Sequence, residues 1–203
     1  MSYQPHLRKI RKLKRSKPSE TENTVANGIY DLEMNHRTLR ECLPRFHFNT
    51  AKEVTHPVTN KKAVLILYPL RFIMLVRKIQ RTLVGELEKR LGGKAVLMVA
   101  QRKIVKRPSD VYKLQEVQRS RTATAVNRGI LEDLIFPADI VGRRWVFRTD
   151  SSRVMKVYLD ARAKNKVGQR LPMISYIFKK LTHRQVQFGY MWNPRLQQVS
   201  HKN

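Results

Sequence analysis

The acidic side chains that could perform catalysis are not arranged as a catalytic pair. Glu132 and Asp133 are adjacent, and Glu86 and Glu88 are separated by one residue. Residues at these separations do not face each other on a helix. A metal-dependent nuclease or a phosphoryl-transfer enzyme needs clustered carboxylates, and the second half of the chain has few acids. The sequence therefore predicts that the protein is not an enzyme.

Two other local patterns have simpler interpretations than chemistry. Gly92-Gly93-Lys94 resembles part of a phosphate loop, but the earlier glycine is missing and Ala95 replaces the Ser or Thr. We interpret it as the end of a helix. Cys42 lies close to His47, but one cysteine and one nearby histidine are a weak signal for metal or thiol chemistry, and a cysteine that faces the core is the simpler interpretation. The sequence predicts no cofactor and no metal site.

Basic side chains are the abundant functional groups of this chain. Lys and Arg total 42 against 15 Asp and Glu, which gives a formal net charge of +27. A folded chain with this charge repels itself unless a polyanion neutralises it. Nucleic acid is the first candidate partner and an anionic membrane surface the second. The membrane is disfavoured because the most apolar window, Ala63 to Val76, is too short to span a bilayer and contains Arg71.

Three segments concentrate this charge: the N-terminus, the centre and the start of a strand hairpin. Arginine pairs with phosphate through a planar fork, so such segments suit binding to folded RNA. The residues predicted to contact RNA are Arg8, Lys9, Arg11, Lys12, Lys14, Arg15, Lys17, Arg102, Lys103, Lys106, Arg107, Arg119, Arg121, Arg143 and Arg144.

The ends of the chain are predicted to be tails around a folded body. Residues 1–20 form a basic N-terminal tail, residues 21–192 the body and residues 193–203 a C-terminal tail. Met1 to Ser19 can be a solvated tail, which could include a nuclear import signal, and an arm that folds onto RNA; the two interpretations are compatible. It contains few apolar residues, so we expect its removal to leave the fold intact. No apolar signal core follows it, so nothing indicates secretion.

The central segment from Lys106 to Ser120 has no long apolar periodicity. Long irregular segments in folded domains are usually functional. We expect a projecting RNA-binding loop that joins the two halves of the body; a merely solvated loop is the alternative.

The clearest structural pattern runs from Lys62 to Val105. Ala63 to Leu67 and Ala95 to Ala100 are apolar runs of strand length. Between them, apolar residues at helical spacing begin after Pro69 and stop at Gly92. The order predicts two parallel strands joined by a crossover helix.

The rest of the chain predicts a similar alternation of elements. Thr21 or Thr24 could cap a first helix that includes Leu39 and Leu43 and ends at Pro44. Phe46 and Phe48 suggest a strand that pairs with the Ala63 strand. In the second half we expect a helix after Thr122 or Thr124, a hairpin with a turn at 150–152, a helix after Pro172 and a strand over 185–190. The predicted class is α+β, with mixed sheets, packed helices and two consecutive helix-strand-strand-helix-strand units.

Two long stretches resemble a known family. KIQRTLVGELEKRLGGKAVLMVAQRKI (Lys78 to Ile104) and RSRTATAVNRGILEDLIFPADIVGRR (Arg119 to Arg144) are similar to signature stretches of the eukaryote-specific ribosomal protein seven of the small (40S) subunit. Shorter similarities are LEMN, AKE and KKLT. The tail is more basic, the central loop less uniformly basic and the C-terminus less acidic than in that family, which indicates a divergent member.

The resemblance implies a structural constituent of the cytosolic small ribosomal subunit. Such a protein binds and stabilises small-subunit rRNA, contacts neighbouring ribosomal proteins and takes part in assembly. It works in the cytoplasm after nuclear and nucleolar passage, with no membrane or small-molecule partner. The alternative from composition is a non-ribosomal RNA-binding or ribosome-assembly factor.

Overall fold

The computed structural model describes residues 5–12, 16–106, 109 and 118–191. Its α-helices are α1 (Glu20–Asn35), α2 (Ile73–Arg90), α3 (Ala123–Ile135), α4 (Lys164–Val167) and α5 (Leu171–Thr182). Its strands are β1 (Thr50–Thr55), β2 (Lys62–Pro69), β3 (Ala95–Gln101), β4 (Ile140–Phe147), β5 (Arg153–Asp160) and β6 (Gln185–Met191). The chain divides into two units, of which the first ends at Val126 and the second begins at Asn127.

The first unit contains a sheet in the order β1-β2-β3. β1 pairs antiparallel with β2, and β2 pairs parallel with β3, with Ala63 opposite Ala95. Helix α2 makes the crossover, as predicted. A short 3₁₀ turn after Pro69 precedes it, and Gly92 and Gly93 follow it with φ values of 69° and 76°. These left-handed positions favour glycine, which explains why the helix ends there.

Helices α1 and α2 bury their apolar faces against one face of this sheet. The core includes Val25 and Ile29 of α1 and Leu83 and Leu87 of α2. A Cβ atom on Gly28 would lie 3.3 Å from Leu87 Cδ2, so this glycine lets the two helices approach closely. Packing of α1 and α2 therefore depends on a small residue at Gly28.

The start and end of α1 differ from the prediction. Ser19, not Thr21 or Thr24, caps the helix: its side chain accepts a hydrogen bond from Glu22 N, and the Glu22 side chain accepts one from Ser19 N. The helix ends at Asn35. Leu39 is buried in the turns that follow it and Leu43 in a short 3₁₀ turn, so the apolar spacing was correct although the helix was predicted too long.

The predicted hairpin with the Ala63 strand is confirmed, since β1 pairs antiparallel with β2. Its first strand was placed too early, because it begins at Thr50, after Phe46 and Phe48. Both phenylalanines are buried, and Phe48 instead makes an isolated parallel bridge with Ile10. Phe48 N donates to Lys9 O at 2.9 Å, and Arg11 N donates to Phe48 O at 2.8 Å. The described part of the basic N-terminus comprises residues 5–12 and 16–19. These hydrogen bonds join the segment 5–12 to the rest of the first unit. Our expectation that Met1–Ser19 adds little to the core is corrected for these residues.

The second unit repeats the strand order of the first. β4 and β5 form the predicted antiparallel hairpin, and β5 pairs parallel with β6, in the order β4-β5-β6. Helix α5 supplies buried Ile174, Ile177 and Phe178. The α+β class and the two helix-strand-strand-helix-strand units are confirmed; the short α4 is an addition that the sequence did not indicate.

Candidate nucleic-acid interface

The two ends of the central basic segment meet beyond β3. Val105 N donates a hydrogen bond to Arg121 O at 3.1 Å, and Arg121 ends a 3₁₀ turn that leads into α3. The side chain of Thr122 accepts a bond from Ala125 N at 3.4 Å, as the predicted cap requires. The hydrogen bond between Val105 and Arg121 therefore closes the loop at its base.

Four exposed cations surround this base, and we call them the loop-base patch: Lys103, Lys106, Arg119 and Arg121. Within the described residues none of them forms an ion pair. Like charges held close together repel, and a bound phosphate would remove that repulsion. Arg102 is half-buried and donates to Ala100 O at 3.2 Å, so it points back to its own strand. Arg107 lies outside the described residues, as does most of the loop.

A second basic feature lies on the sheet of the second unit. Arg144 of β4 and Lys156 of β5 are register partners, and both are exposed. We call them the sheet-face pair. Like charges directly opposite each other destabilise a sheet. An anion bound between them would offset this repulsion, which makes the pair a second candidate for phosphate contact.

Arg143, the neighbour of Arg144, points to the other face of the sheet. Its Nη2 lies 3.6 Å from Glu132 Oε1, which also accepts from Arg128 Nε at 3.1 Å. Burial and the nearby Arg128 lower the pKa of Arg143, while Glu132 raises it. Arg143 remains a cation at neutral pH, but its charge is directed to α3. Its contact with RNA stays a prediction, and the side chain already has Glu132 as a partner.

The N-terminal candidates differ in exposure and in their contacts within the protein. Lys9 is 4% exposed; its Nζ donates to Leu43 O at 2.6 Å and forms an ion pair with Glu33. Lys12 Nζ lies 2.7 Å from Glu22 Oε2. The side chains of Arg11 and Lys17 are exposed. Arg8 is exposed too but has an interaction within the protein, and Lys14 and Arg15 lie outside the described residues. The RNA role of this set stays a prediction, and Lys9 and Lys12 already have structural partners.

The pKa of Glu22, the carboxyl that Lys12 contacts, is shifted by burial and by hydrogen bonds. Burial raises the pKa of Glu22, but the hydrogen bonds from Lys12 and from Ser19 N lower it more, so the net shift is downward from 4.5. Glu22 therefore stays ionised in the folded protein. It ties the basic N-terminus to the first turn of α1, where a negative charge is also favourable to the helix dipole.

Comparison with known proteins decides the family. The sequence model described as Ribosomal protein S7e matches residues 9–190. The small ribosomal subunit protein eS7 of Hordeum vulgare is 42% identical over 183 residues, which is 90% of this chain and 94% of that protein. The chain belongs to the ribosomal protein S7e family. The eS7 proteins of Avicennia marina and Dictyostelium discoideum are 39% and 40% identical, over 91% and 85% of this chain and 96% and 89% of theirs.

The S7e match includes the loop-base patch and the sheet-face pair, since both lie within residues 9–190. Among the described residues no group of three or more His, Cys, Asp or Glu could hold a metal ion. In the same part of the chain, no helix is long and apolar enough to cross a bilayer. Cys42 is half-buried and packs against the core of the first unit, as the simpler interpretation of the sequence had it.

Two functional candidates were missed in the sequence. Lys156 was not chosen, although a turn at 150–152 places it nearly opposite Arg144 in a hairpin. The second is a cleft around Trp145 and Phe147. Their partners are Arg153 of β5 and Arg184, which directly precedes β6, and local pattern could not pair them with the rings.

Proposed function

We propose that this S7e protein is a structural constituent of the cytosolic small ribosomal subunit. In this role it binds and stabilises small-subunit rRNA, contacts neighbouring subunit proteins and takes part in subunit assembly. It has no catalytic role, and it reaches the cytoplasm after nuclear and nucleolar passage. The names of its relatives, each a small ribosomal subunit protein, support the first part.

The observation that carries the RNA-binding part is the loop-base patch. A backbone hydrogen bond holds the two ends of the loop together, so its cations are positioned before RNA arrives. Lys103 and Lys106 are compact charges, while Arg119 and Arg121 can each pair with a phosphate through two parallel hydrogen bonds. Contacts of this kind recognise the backbone of folded RNA and not its sequence.

Sedimentation of cell extract separates a subunit constituent from an assembly factor. An epitope-tagged copy of the full chain is expressed in the eukaryotic cells that produce it, and the extract is fractionated on a sucrose gradient. We expect the tagged chain in the small-subunit, whole-ribosome and polysome fractions. Its presence only with precursor particles, or only among free proteins at the top, would contradict the proposal and would favour the alternative of an assembly factor.

A variant in which the loop-base patch has no charges tests, in the same sucrose gradient, whether this patch contributes to RNA binding. Replacing Lys103, Lys106, Arg119 and Arg121 with Gln keeps the length and polarity of the side chains. We expect a smaller tagged fraction in subunits and an unchanged melting temperature, because all four are exposed. A control with half as many substitutions replaces Lys52 and Lys61, two exposed lysines of the first unit, with Gln.

A further inference from the structure

Two large aromatic side chains lie exposed on one face of β4. Trp145 is 40% exposed and Phe147 is 67% exposed, and residues two apart on a strand point to the same side. They line a cleft of about 500 Å³ together with Ser152, Arg153, His183, Arg184 and Gln185. The cleft lies where His183 caps the end of α5 and β6 begins at Gln185.

An arginine lies over each ring. Arg153, the register partner of Phe147, has its guanidinium carbon 5.5 Å from the centre of that ring. Arg184 has its guanidinium carbon 5.5 Å from the centre of the Trp145 ring. Within the described residues neither arginine forms an ion pair. Their hydrogen-bond donors are therefore available to a ligand that reaches the rings.

The chemistry of this cleft matches an unpaired nucleotide. Single-stranded RNA is recognised by splaying out bases and stacking them on aromatic rings and arginine planes. Ser152, His183 and Gln185 supply polar groups for the edge of a base, and the arginines supply donors for its phosphate. A cleft of about 500 Å³ falls in the size range of sites for small ligands. None of the described residues that line the cleft is an aspartate or a glutamate.

We propose that this cleft binds an unpaired base of single-stranded RNA, stacked against Trp145 or Phe147, with its phosphate on Arg153 or Arg184. The inference rests on the proposed function, since it names the form of RNA that one part of the protein recognises. The cleft and the loop-base patch recognise different features of RNA. The patch contacts phosphates, and the cleft distinguishes an unstacked base from a base in a duplex.

Fluorescence of Trp145 reports on stacking directly. The chain has two tryptophans, so the full-length Trp192→Phe variant leaves Trp145 as the one tryptophan reporter. It is titrated with a short single-stranded oligoribonucleotide, with an abasic phosphodiester of the same length and with a duplex. We expect the single strand to quench Trp145, because a stacked base lies on its ring. The abasic strand and the duplex should bind through charge without quenching.

Substitutions in the cleft distinguish base stacking from nonspecific binding of RNA. Phe147→Leu keeps an apolar side chain but removes the ring, and we expect it to weaken single-strand binding about tenfold. Phe147→Tyr keeps the ring and should bind like the parent. Arg184→Lys keeps the charge and loses the plane, so it should reduce quenching. Met74→Ala, at a 69% exposed methionine of α2, is the control and should change nothing.

The outcomes distinguish this inference from the function on which it rests. If the protein binds duplex and folded rRNA but Trp145 is not quenched and Phe147→Leu binds normally, the cleft proposal is overturned and the proposed function stands. If quenching follows an acidic peptide and not the single strand, the cleft is a protein site and the proposal is again overturned. Failure to bind any RNA would instead contradict the proposed function.

Discussion

Lys9 and Lys12 contribute to the fold of the first unit through ion pairs with acids of α1. Lys9 contacts Glu33 and the carbonyl of Leu43, and Lys12 contacts Glu22. The acids near the start of the chain thus attract the basic N-terminus to the body. At the scale of single residues, a basic side chain in this protein is a candidate RNA contact only where it lacks such a partner.

Removing the Lys9 charge should destabilise the protein. Lys9→Met leaves the Glu33 carboxylate without its cation in a half-buried position, at a cost of about 2–4 kcal/mol. Urea denaturation measures this, with Lys17→Met, an exposed lysine of the same segment, as the control. The double variant Lys9→Met with Glu33→Gln should recover much of the loss. Equal stability of Lys9→Met and the parent would contradict the structural role of Lys9.

Glu22 should make stability depend on pH in acid. Its pKa is lower in the folded protein than the ordinary value of 4.5, so its contribution is fully present above that pH. The contribution is lost as the pH falls through the lowered pKa, because the unfolded chain then binds the proton more tightly. Melting temperatures between about pH 6 and about pH 3 should fall less steeply for Glu22→Gln than for the parent. Parallel curves would show that Glu22 does not titrate differently in the folded state.

At the scale of elements, two glycines of the α2 region should respond in opposite directions to the same change. Gly85 lies inside α2 with nothing within 4 Å of an added Cβ, so Gly85→Ala should stabilise the protein by about 0.5–1 kcal/mol. Gly93 also has open space, but its φ of 76° strains any other residue, so Gly93→Ala should destabilise by about 1 kcal/mol. Thermal or urea unfolding of both variants tests this, and the same sign for both would contradict it.

Elements with clear local start and stop signals were predictable from the sequence. Helix α2 follows Pro69, carries its apolar residues on one face and stops at Gly92, and the structure agrees. The start of α1 could also have been found, because Ser19 followed by Glu22 is a capping-box pattern. The error came from choosing Thr21 or Thr24 by residue type alone.

Contacts between distant parts of the chain were not predictable in this way. Phe46 and Phe48 alternate like a strand, yet the segment pairs with the N-terminus and not with the sheet. Lys9 is buried because Glu33 and the Leu43 carbonyl approach it from positions far along the sequence. The cleft likewise joins β4, β5 and the end of α5. Local periodicity contains no information on such partners, which only the packed chain determines.

At the scale of the whole molecule, the two units share one strand order but present their basic residues on different surfaces. Each has an antiparallel pair followed by a parallel strand. The first unit presents basic residues beyond the end of β3, while the second presents them on its sheet face. With a net charge of +27, RNA binding should release many counterions. The affinity of the chain for RNA should therefore fall steeply as salt increases.

The salt dependence of binding to small-subunit rRNA, measured for the parent and for the loop-base variant, tests the central claim most directly. The logarithm of affinity should fall linearly with the logarithm of salt for both. Replacing Lys103, Lys106, Arg119 and Arg121 with Gln should make the slope shallower by roughly 3, since each phosphate contact contributes about 0.7–0.9. The melting temperatures of the two proteins should agree. An unchanged slope and affinity in a normally folded variant would contradict the claim that the loop-base patch binds rRNA phosphates.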